Sequence, residues 1–526
     1  MRRFVFAILL ALPLAAADQA TTDKGVVEGT ASKDHPTTHI FKGIPYAAPP
    51  VGALRWKAPQ PAASWTGVRK AVEFGPRCMQ GHIYNDMIFR DPGPSEDCLS
   101  LNVWTPAEFQ GKRRMLIDGG SLEQPLPVMV WIYGGGYSAG ATSEPRQDGE
   151  NLARKGVVVV SMNYRLGVFG FFVHPELAKE SGHGSSGNYG LMDQVAALQW
   201  VQKNIAAFGG DPNNVTIFGE SAGSFSVSAQ MASPLAQGLF QRAIGESGAF
   251  FSTTLGLKPL AKAEEDDAKF AEAVGAPTLE ALRAKPADEL LTAALKPGGD
   301  GVRFAPDIDG WFFPETAYAT YAAGKQSHVP LLAGWNADEG SARAIFKGDP
   351  ATAANFAKRA KELYGDKADA FLKLYPAAND EQAERSAQDL AGDQFIAFST
   401  WKWLEMQAAT GKSPEYRYEF DDAPPAPAGG VARGAYHSAE IEFVFGVLAS
   451  KDLPWRPEDF KLSDLMSTYW SNFAKTGDPN GPGLPKWPLY GAADGYQVMH
   501  LSATPGAAPD LHRGRYEFLD ALMAWK

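Results

Sequence analysis

Cysteine is scarce in this sequence, with only Cys78 and Cys98 among its 526 residues. A chain of this length can bury a large core, so it needs no disulfide framework for its bulk stability. If the protein is exported to an oxidising compartment, the two cysteines are expected to pair and to close a loop of about 20 residues. Two free, buried thiols are the alternative.

Runs of lysine or arginine are absent as well. The chain has 49 basic and 60 acidic residues, which gives a formal net charge of −11. An acidic protein without a basic cluster is a poor partner for nucleic acid or for an anionic membrane. We interpret the acidity as a feature that keeps the protein soluble.

Long hydrophobic runs are lacking, apart from a short one at the N-terminus. Arg2 and Arg3 precede an apolar stretch at 4–14, and Ala15-Ala16-Ala17 follows it. The apolar part is shorter than the roughly 20 residues that span a bilayer. This pattern is typical of a signal peptide over residues 1–17, so we expect a secreted or periplasmic protein without a membrane span. A retained anchor is the alternative.

The rest of the chain alternates between apolar runs and helical patterns, with no internal repeat. The continuous apolar runs at 128–133, 157–162, 215–218 and 329–334 are typical of strands that are covered on both faces. Helical spacing around 149–155 and 191–205 lies between them, which favours a mainly parallel sheet with helices on both sides. The pattern at 255–374 is largely helical, and no linker divides the chain. We therefore expect one α/β domain over residues 18–526, with helical excursions.

The segment Gly219-Glu220-Ser221-Ala222-Gly223 lies between one of these strands and a helical stretch. Glycine on both sides permits a sharp strand-to-helix turn, because no Cβ fits where the two elements nearly touch. Such a turn would hold Ser221 clear of the sheet, at the positive end of the helix. We expect Ser221 to be a nucleophile, with a plain glycine turn as the alternative.

A serine that attacks a carbonyl group needs a base, an orienting acid and donors for the oxyanion. Tyr133-Gly134-Gly135-Gly136 directly follows the apolar run at 128–132. Backbone N–H groups approach a substrate closely only where side chains are absent, so the triplet suits an oxyanion hole. We expect the N–H groups of Gly135, Gly136 and Ala222 to form it, with a flexible glycine turn as the alternative.

Further motifs occur in a fixed order along the chain. They are FKGIPYA at 41–47, SEDCL at 95–99, NYR at 163–165, AAFGGDP at 206–212 and YWSNFA at 469–474. With the two glycine-rich segments, they make the chain resemble the type-B carboxylesterases, a family that includes cholinesterases and neuroligins. The resemblance runs from about residue 25 to the final residues. It implies an α/β-hydrolase fold, with a large, mostly parallel central sheet flanked by helices and with helical insertions.

The resemblance also implies an acid and a base. The family's acid lies in a G-x-N-x-D-E-G motif, which reads GWNADEG at 334–340 and matches Glu339. Asp338 is the rival, and the residues alone do not separate the two. The family's base lies in a loop before an EIEF run, which stands at 440–443 and matches His437. Glu220 and Ser247 match positions beside these residues, with ordinary solvation as the alternative.

Two departures from the family pattern stand out. The loop between Cys78 and Cys98 contains no tryptophan. Cholinesterases use an aromatic face there for cation–π attraction, so a choline ester preference is disfavoured. The segment 110–124 is longer and more polar than the resemblance leads us to expect, and no role follows for it.

The sequence therefore predicts a serine hydrolase that cleaves carboxylic esters of small molecules through an acyl-enzyme, with no metal or organic cofactor. A non-catalytic, neuroligin-like binding module is the alternative from another class. A lipase or an amidase is the alternative among enzymes. The acyl and alcohol preferences and the oligomeric state do not follow from the sequence.

Overall fold

The computed structural model describes residues 18–106, 108–110, 113–115, 125–252, 256–296 and 303–525, with the backbone alone at 108–110 and 113–115. The signal-peptide prediction for residues 1–17 lies outside this part of the chain. So does the segment 110–124, apart from the backbone of residue 110 and of 113–115.

Strands make up the centre of the molecule. In chain order they are β1 (Gln19–Thr22), β2 (Gly25–Glu28), β3 (Thr30–Ala31), β4 (His39–Pro45), β5 (Val68–Lys70), β6 (Arg77–Cys78), β7 (Pro94–Ser95), β8 (Ser100–Thr105), β9 (Glu108–Gln110), β10 (Arg113–Met115), β11 (Leu126–Ile132), β12 (Val158–Met162), β13 (Gly210–Glu220), β14 (Arg242–Glu246), β15 (Lys258–Pro259), β16 (Asp307–Ile308), β17 (Leu331–Asn336), β18 (Glu415–Phe420), β19 (Gln497–Leu501) and β20 (Gly506–Pro509).

Helices occupy the connections between the strands. They are α1 (Glu150–Ala153), α2 (Gly167–Phe171), α3 (Pro175–Ser181), α4 (Tyr189–Asn204), α5 (Ala222–Ala232), α6 (Leu260–Ala273), α7 (Leu279–Ala284), α8 (Ala287–Ala294), α9 (Ala317–Ala322), α10 (Ala342–Phe346), α11 (Ala353–Tyr364), α12 (Ala368–Leu374), α13 (Asp380–Gly392), α14 (Phe398–Thr410), α15 (Ile441–Phe445), α16 (Pro457–Thr476) and α17 (Arg513–Asp520). A π-helical turn, Asp393–Ala397, joins α13 to α14.

Eleven of the strands form one sheet, in the order β20-β19-β18-β17-β14-β13-β11-β12-β8-β4-β3. The seven strands from β19 to β12 are parallel, and antiparallel strands extend the sheet at both edges. Helices α4, α5, α14 and α16 pack against the parallel strands. The predicted α/β-hydrolase fold, with a large, mostly parallel sheet flanked by helices, is confirmed.

The parallel strands are buried along almost their whole length. Every residue of β12, β17 and β18 is buried, as are the last five residues of β11. Continuous apolar runs are expected where both faces of a strand are covered, and burial of this kind is the main stabilising term of such a core. The strands predicted at 128–133, 157–162, 215–218 and 329–334 correspond to β11, β12, β13 and β17.

Helical insertions lie in two of the connections between neighbouring strands of the sheet. Helices α6 to α8 lie between β15 and β16, and α10 to α13 lie between β17 and β18. The second insertion has a small core of its own, around Phe346, Phe356, Phe371 and Tyr375. In the described part of the chain, no helix combines the length and apolar character that crossing a membrane requires.

A disulfide links Cys78 and Cys98, which are 20 positions apart in the sequence. It closes a loop that also carries Tyr84, Asp86 and Met87, three residues that line the cavity that contains Ser221. In the chain-entropy description, a closed loop of this size contributes on the order of 3 kcal/mol. The bridge therefore fixes one wall of that cavity.

Candidate active site

Ser221 lies at the turn between β13 and α5, with φ 53° and ψ −123°. This left-handed conformation is rare for a residue with a side chain, and the surrounding backbone must hold it in place. The amide of Ser221 donates to the carbonyl of Glu246 at 2.8 Å. A Cβ at Gly219 would lie 2.5 Å from the carbonyl oxygen of Ile132, and one at Gly223 would overlap that same oxygen. Both glycines are therefore required by the close approach of the elbow to β11.

Three side chains that are far apart in the sequence meet in one hydrogen-bonded chain. The Nε2 atom of His437 lies 2.9 Å from Oγ of Ser221, and its Nδ1 atom lies 2.5 Å from Oε2 of Glu339. Because β13, β17 and β18 are parallel, the segments that follow them emerge at one edge of the sheet. The arrangement suits a hydroxyl that donates to Nε2 while Nδ1–H donates to the carboxylate.

The carboxylate of Glu339 is buried and held by two further donors. Its Oε1 atom accepts from Oγ of Ser247 at 2.5 Å and from the amide of Asn336 at 2.9 Å. A carboxylate with several donors keeps its orientation, so it is well suited to fix the imidazole ring. The family resemblance had indicated Ser247 as a residue near the site. The structure shows that its hydroxyl contacts Glu339 directly.

Asp338, the rival acid, faces a different set of groups. It accepts hydrogen bonds from Nη1 of Arg385 at 2.7 Å and from the amide of Ala435 at 2.9 Å. It therefore anchors the loop two residues before His437 and does not contact the imidazole. Of these two adjacent acids, Glu339 is the one that the structure places against the ring.

Glu220 lies beneath the imidazole, with Oε1 3.3 Å from Nε2 of His437. Burial raises the pKa of Glu220 to about 7, although His437 and Arg146 act in the opposite direction. Burial alone would lower the pKa of His437, but the nearby carboxylates of Glu339 and Glu220 outweigh burial and raise it. The imidazole therefore sits between two carboxylates that both stabilise its protonated form.

The glycine triplet follows β11, and its last two residues, Gly135 and Gly136, line the same cavity as Ser221. Gly135 has φ 109° and Gly136 has φ 64°, a region that favours glycine. The amides of Gly135, Gly136 and Ala222 donate to no other residue in the described ranges. Unpaired N–H groups beside a hydroxyl are available to a developing oxyanion.

The cavity above these residues has a volume of about 640 Å³. Much of its wall is aromatic, with Tyr137, Phe225, Phe250 and Phe395 among the lining residues. The ring of Phe395 packs 5.2 Å from that of His437, centroid to centroid. A cavity of this size, with apolar walls and a few convergent polar groups, suits a small organic ligand. In the described ranges, no group of three or more His, Cys, Asp or Glu side chains is arranged to hold a metal ion.

Some cavity residues were not identified from the sequence. Phe395 belongs to the π-helical turn, Arg146 belongs to a 3-10 turn at Pro145–Gln147, and Arg303 and Arg433 come from separate loops. None of them stands in a motif that indicates chemistry. Only the folded chain brings them to Ser221.

Comparisons with known proteins give a consistent result. The model of the carboxylesterase family matches residues 16–519. The chain is 38% identical over 488 residues to the fumonisin B1 esterase of Sphingopyxis macrogoltabida, covering 89% of this chain and 84% of that one. It is 37% identical over 485 residues to the para-nitrobenzyl esterase of Bacillus subtilis, covering 89% and 92%.

Solved structures agree with the sequence comparisons. A carboxylesterase of Geobacillus stearothermophilus superposes with a TM-score of 0.78 at 33% sequence identity, over 95% of this chain and 99% of that chain. The family match extends over every strand of the described sheet and over all the site residues discussed above. The chain therefore belongs to the carboxylesterase family and is a carboxylic ester hydrolase.

Proposed function

We propose that the enzyme cleaves small carboxylic esters through an acyl-enzyme on Ser221, with His437 as the general base and Glu339 as the orienting acid. The observation that carries this proposal is the unbroken hydrogen-bonded chain from Oγ of Ser221 through His437 to Glu339. Nucleophile, base and orienter in hydrogen-bond reach of one another are the geometric signature of this chemistry.

The reaction then proceeds in two halves. As Oγ of Ser221 attacks the ester carbonyl, its proton moves to Nε2 of His437, and the carbonyl oxygen becomes an oxyanion. The amides of Gly135, Gly136 and Ala222 stabilise that oxyanion, each by roughly 3 kcal/mol. The C–O bond to the alcohol breaks, and the imidazolium returns its proton to the departing oxygen.

Water completes the cycle. His437 removes a proton from the water molecule as its oxygen attacks the acyl carbon, and the second oxyanion occupies the same three amides. When the bond to Oγ breaks, the proton passes from His437 to Ser221, and the carboxylic acid leaves. The imidazolium that forms in each half lies against Glu339, which lowers the free energy of that charged state.

A matched pair of substrates tests ester hydrolysis against the amidase alternative. We expect 4-nitrophenyl acetate to be hydrolysed with saturable kinetics in homogeneous solution, and 4-nitroacetanilide to be cleaved far more slowly, because the anilide is the less reactive acyl donor. Both reactions are followed by absorbance of the released chromophore. Faster cleavage of the anilide would favour an amidase, and ester activity that rises only above the solubility limit would favour a lipase.

The position of Glu220 predicts a change in the pH dependence. Its carboxylate stabilises the imidazolium of His437, whereas catalysis requires the neutral ring. Glu220→Gln removes that negative charge, so the pKa of His437 falls and the acidic limb of kcat/KM moves to lower pH. We expect a shift of roughly half a unit to one unit, because the carboxylate of Glu339 remains and still stabilises the imidazolium.

The control for this shift is Glu315→Gln, which removes a carboxylate from a surface pair with Lys325. Its pH profile of kcat/KM should match that of the unmodified enzyme. An acidic limb that stays in place, or moves to higher pH, in Glu220→Gln would show that Glu220 does not stabilise the imidazolium.

We also propose that the protein is exported and that residues 18–526 form one mature domain in the periplasm or outside the cell. The residue pattern at 1–17 supports this, and so does the Cys78–Cys98 bridge, because disulfides persist in oxidising compartments. Mass spectrometry of the protein from each cell fraction tests the proposal. An exported form that begins at Asp18 is expected, and a chain that keeps residues 1–17 in the cytoplasm would contradict it.

A further inference from the structure

The charges around the catalytic cavity differ in sign from the charge of the whole protein. Although the chain carries a formal net charge of −11, its cavity is lined by the cations Arg146, Lys258, Arg303 and Arg433. The acidic residues in the lining are Asp86 and Glu220. A cavity with one sign of charge and low-dielectric walls concentrates ligands of the opposite sign.

Two of these cations are already paired with acids outside the lining. Nε of Arg146 donates to Oε2 of Glu144 at 2.8 Å, and Nζ of Lys258 lies 2.9 Å from Oδ2 of Asp266. Their charges are largely compensated by these contacts. They therefore contribute little to the excess positive charge that an incoming ligand meets.

Arg303 and Arg433, unlike Arg146 and Lys258, have no acidic partner in the described ranges. Both are exposed, and neither forms an ion pair with a residue in the described ranges. The guanidinium of Arg433 stacks over the ring of Tyr436, 4.1 Å from its centroid, which orients the group without neutralising it. An oriented guanidinium without a carboxylate partner is suited to bind a carboxylate of the ligand.

The acids in the lining do not neutralise these two arginines. Glu220 lies against the imidazole of His437, at 3.3 Å, and Asp86 lies 3.9 Å from Nη1 of Arg146. Each acid thus faces a different positive or basic group. The uncompensated charge of the cavity belongs to Arg303 and Arg433.

The two arginines come from different segments of the chain, and both line the cavity that contains Ser221. Tyr84 lines the cavity together with Arg303, and the positive charge of Arg303 opposes the rise that burial causes in the pKa of Tyr84. The hydroxyl of Tyr84 would be 3.2 Å from a Cβ at Gly136, in the oxyanion hole proposed above. Arg433 precedes His437 by four positions, in the loop that carries the base. A ligand held at Ser221 therefore shares its cavity with two guanidinium groups that have no carboxylate partner in the described ranges.

We propose that the preferred substrates are esters that carry a free carboxylate, such as half-esters of dicarboxylic acids, with Arg303 and Arg433 binding that carboxylate. This substrate class rests on the ester hydrolysis proposed above. The carboxylate stays unreacted while the ester carbonyl at the other end of the molecule meets Ser221. The two arginines act in substrate binding and take no part in the proton transfers.

The test compares monoethyl adipate with ethyl adipamate, which replaces the free carboxylate by a neutral amide of similar size. Rates are measured by pH-stat at pH 8 and low ionic strength. We expect kcat/KM for monoethyl adipate to exceed that for ethyl adipamate by roughly tenfold. Arg303→Gln and Arg433→Gln should each reduce this ratio, and the double variant should bring it close to one. Added salt should also reduce the ratio, because it screens exposed charges.

Arg69→Gln is the matched control. Arg69 is an exposed arginine of β5 that does not line the cavity, so its loss makes the same change in net charge and should leave the ratio unaltered. A ratio of one or less in the unmodified enzyme, or a preference that survives in the double variant, would overturn the substrate class while leaving ester hydrolysis intact. If neither ester is hydrolysed, the proposed function itself fails.

Discussion

Replacing Ser221 by alanine is expected to lower kcat for 4-nitrophenyl acetate by on the order of 10⁶. The hydroxyl is the attacking group, and Oγ of Ser221 is the atom that lies 2.9 Å from Nε2 of His437. Alanine keeps the elbow backbone and removes this oxygen alone. The residual rate then comes from binding and from the oxyanion donors.

Ser224→Ala is the control for that variant, because it makes the same substitution one turn further along α5. The hydroxyl of Ser224 donates to the carbonyl of Gly248 at 2.6 Å and takes no part in the triad. The control should therefore retain most of its kcat, with some loss of thermal stability. Near-normal turnover by Ser221→Ala, in protein that melts as the unmodified enzyme does, would rule out Ser221 as the nucleophile.

The second large effect is expected at Glu339. Glu339→Gln leaves the size of the side chain unchanged but replaces the carboxylate that accepts from Nδ1 of His437, so the ring loses its fixed tautomer and the partner of its charged form. By analogy with the corresponding change in serine proteases, kcat should fall by about 10⁴. Steady-state kinetics with the same ester measures the loss.

Asp338→Asn provides the comparison at the neighbouring position. Its side chain accepts from Ala435 and Arg385, and asparagine retains an acceptor oxygen for the loop. We expect a loss in kcat of less than about tenfold, since loop anchoring acts only indirectly on the imidazole. A larger loss in Asp338→Asn than in Glu339→Gln would transfer the orienting role to Asp338.

Features that depend on local backbone geometry could be predicted from the sequence. The elbow at Ser221 and the glycines at 134 and 135 leave no room for a side chain because other backbone groups lie against them, and Gly136 has a φ of 64° that favours glycine. Likewise, strands β11 and β12 can be recognised in the sequence as apolar runs, because parallel strands are covered on both faces. Each of these features is determined by a few adjacent residues.

Features that depend on the fold could not be predicted in the same way. Asp338 and Glu339 are adjacent carboxylates, and the local sequence does not say which side chain turns toward His437. The strand predicted at 215–218 runs from Gly210 to Glu220, because pairing with β11 begins before the apolar run does. Phe395, Arg303 and Arg433 reach the cavity from three separate segments, which no short motif records.

Covalent labelling with a fluorophosphonate tests the central claim most directly, because such a reagent phosphonylates a serine that is activated by a base. Peptide mass spectrometry of the inactivated enzyme should find one phosphonyl group, carried by Ser221, with residual activity falling in proportion to its occupancy. Loss of activity with the group on another residue, or full labelling of Ser221 without loss of activity, would contradict the account.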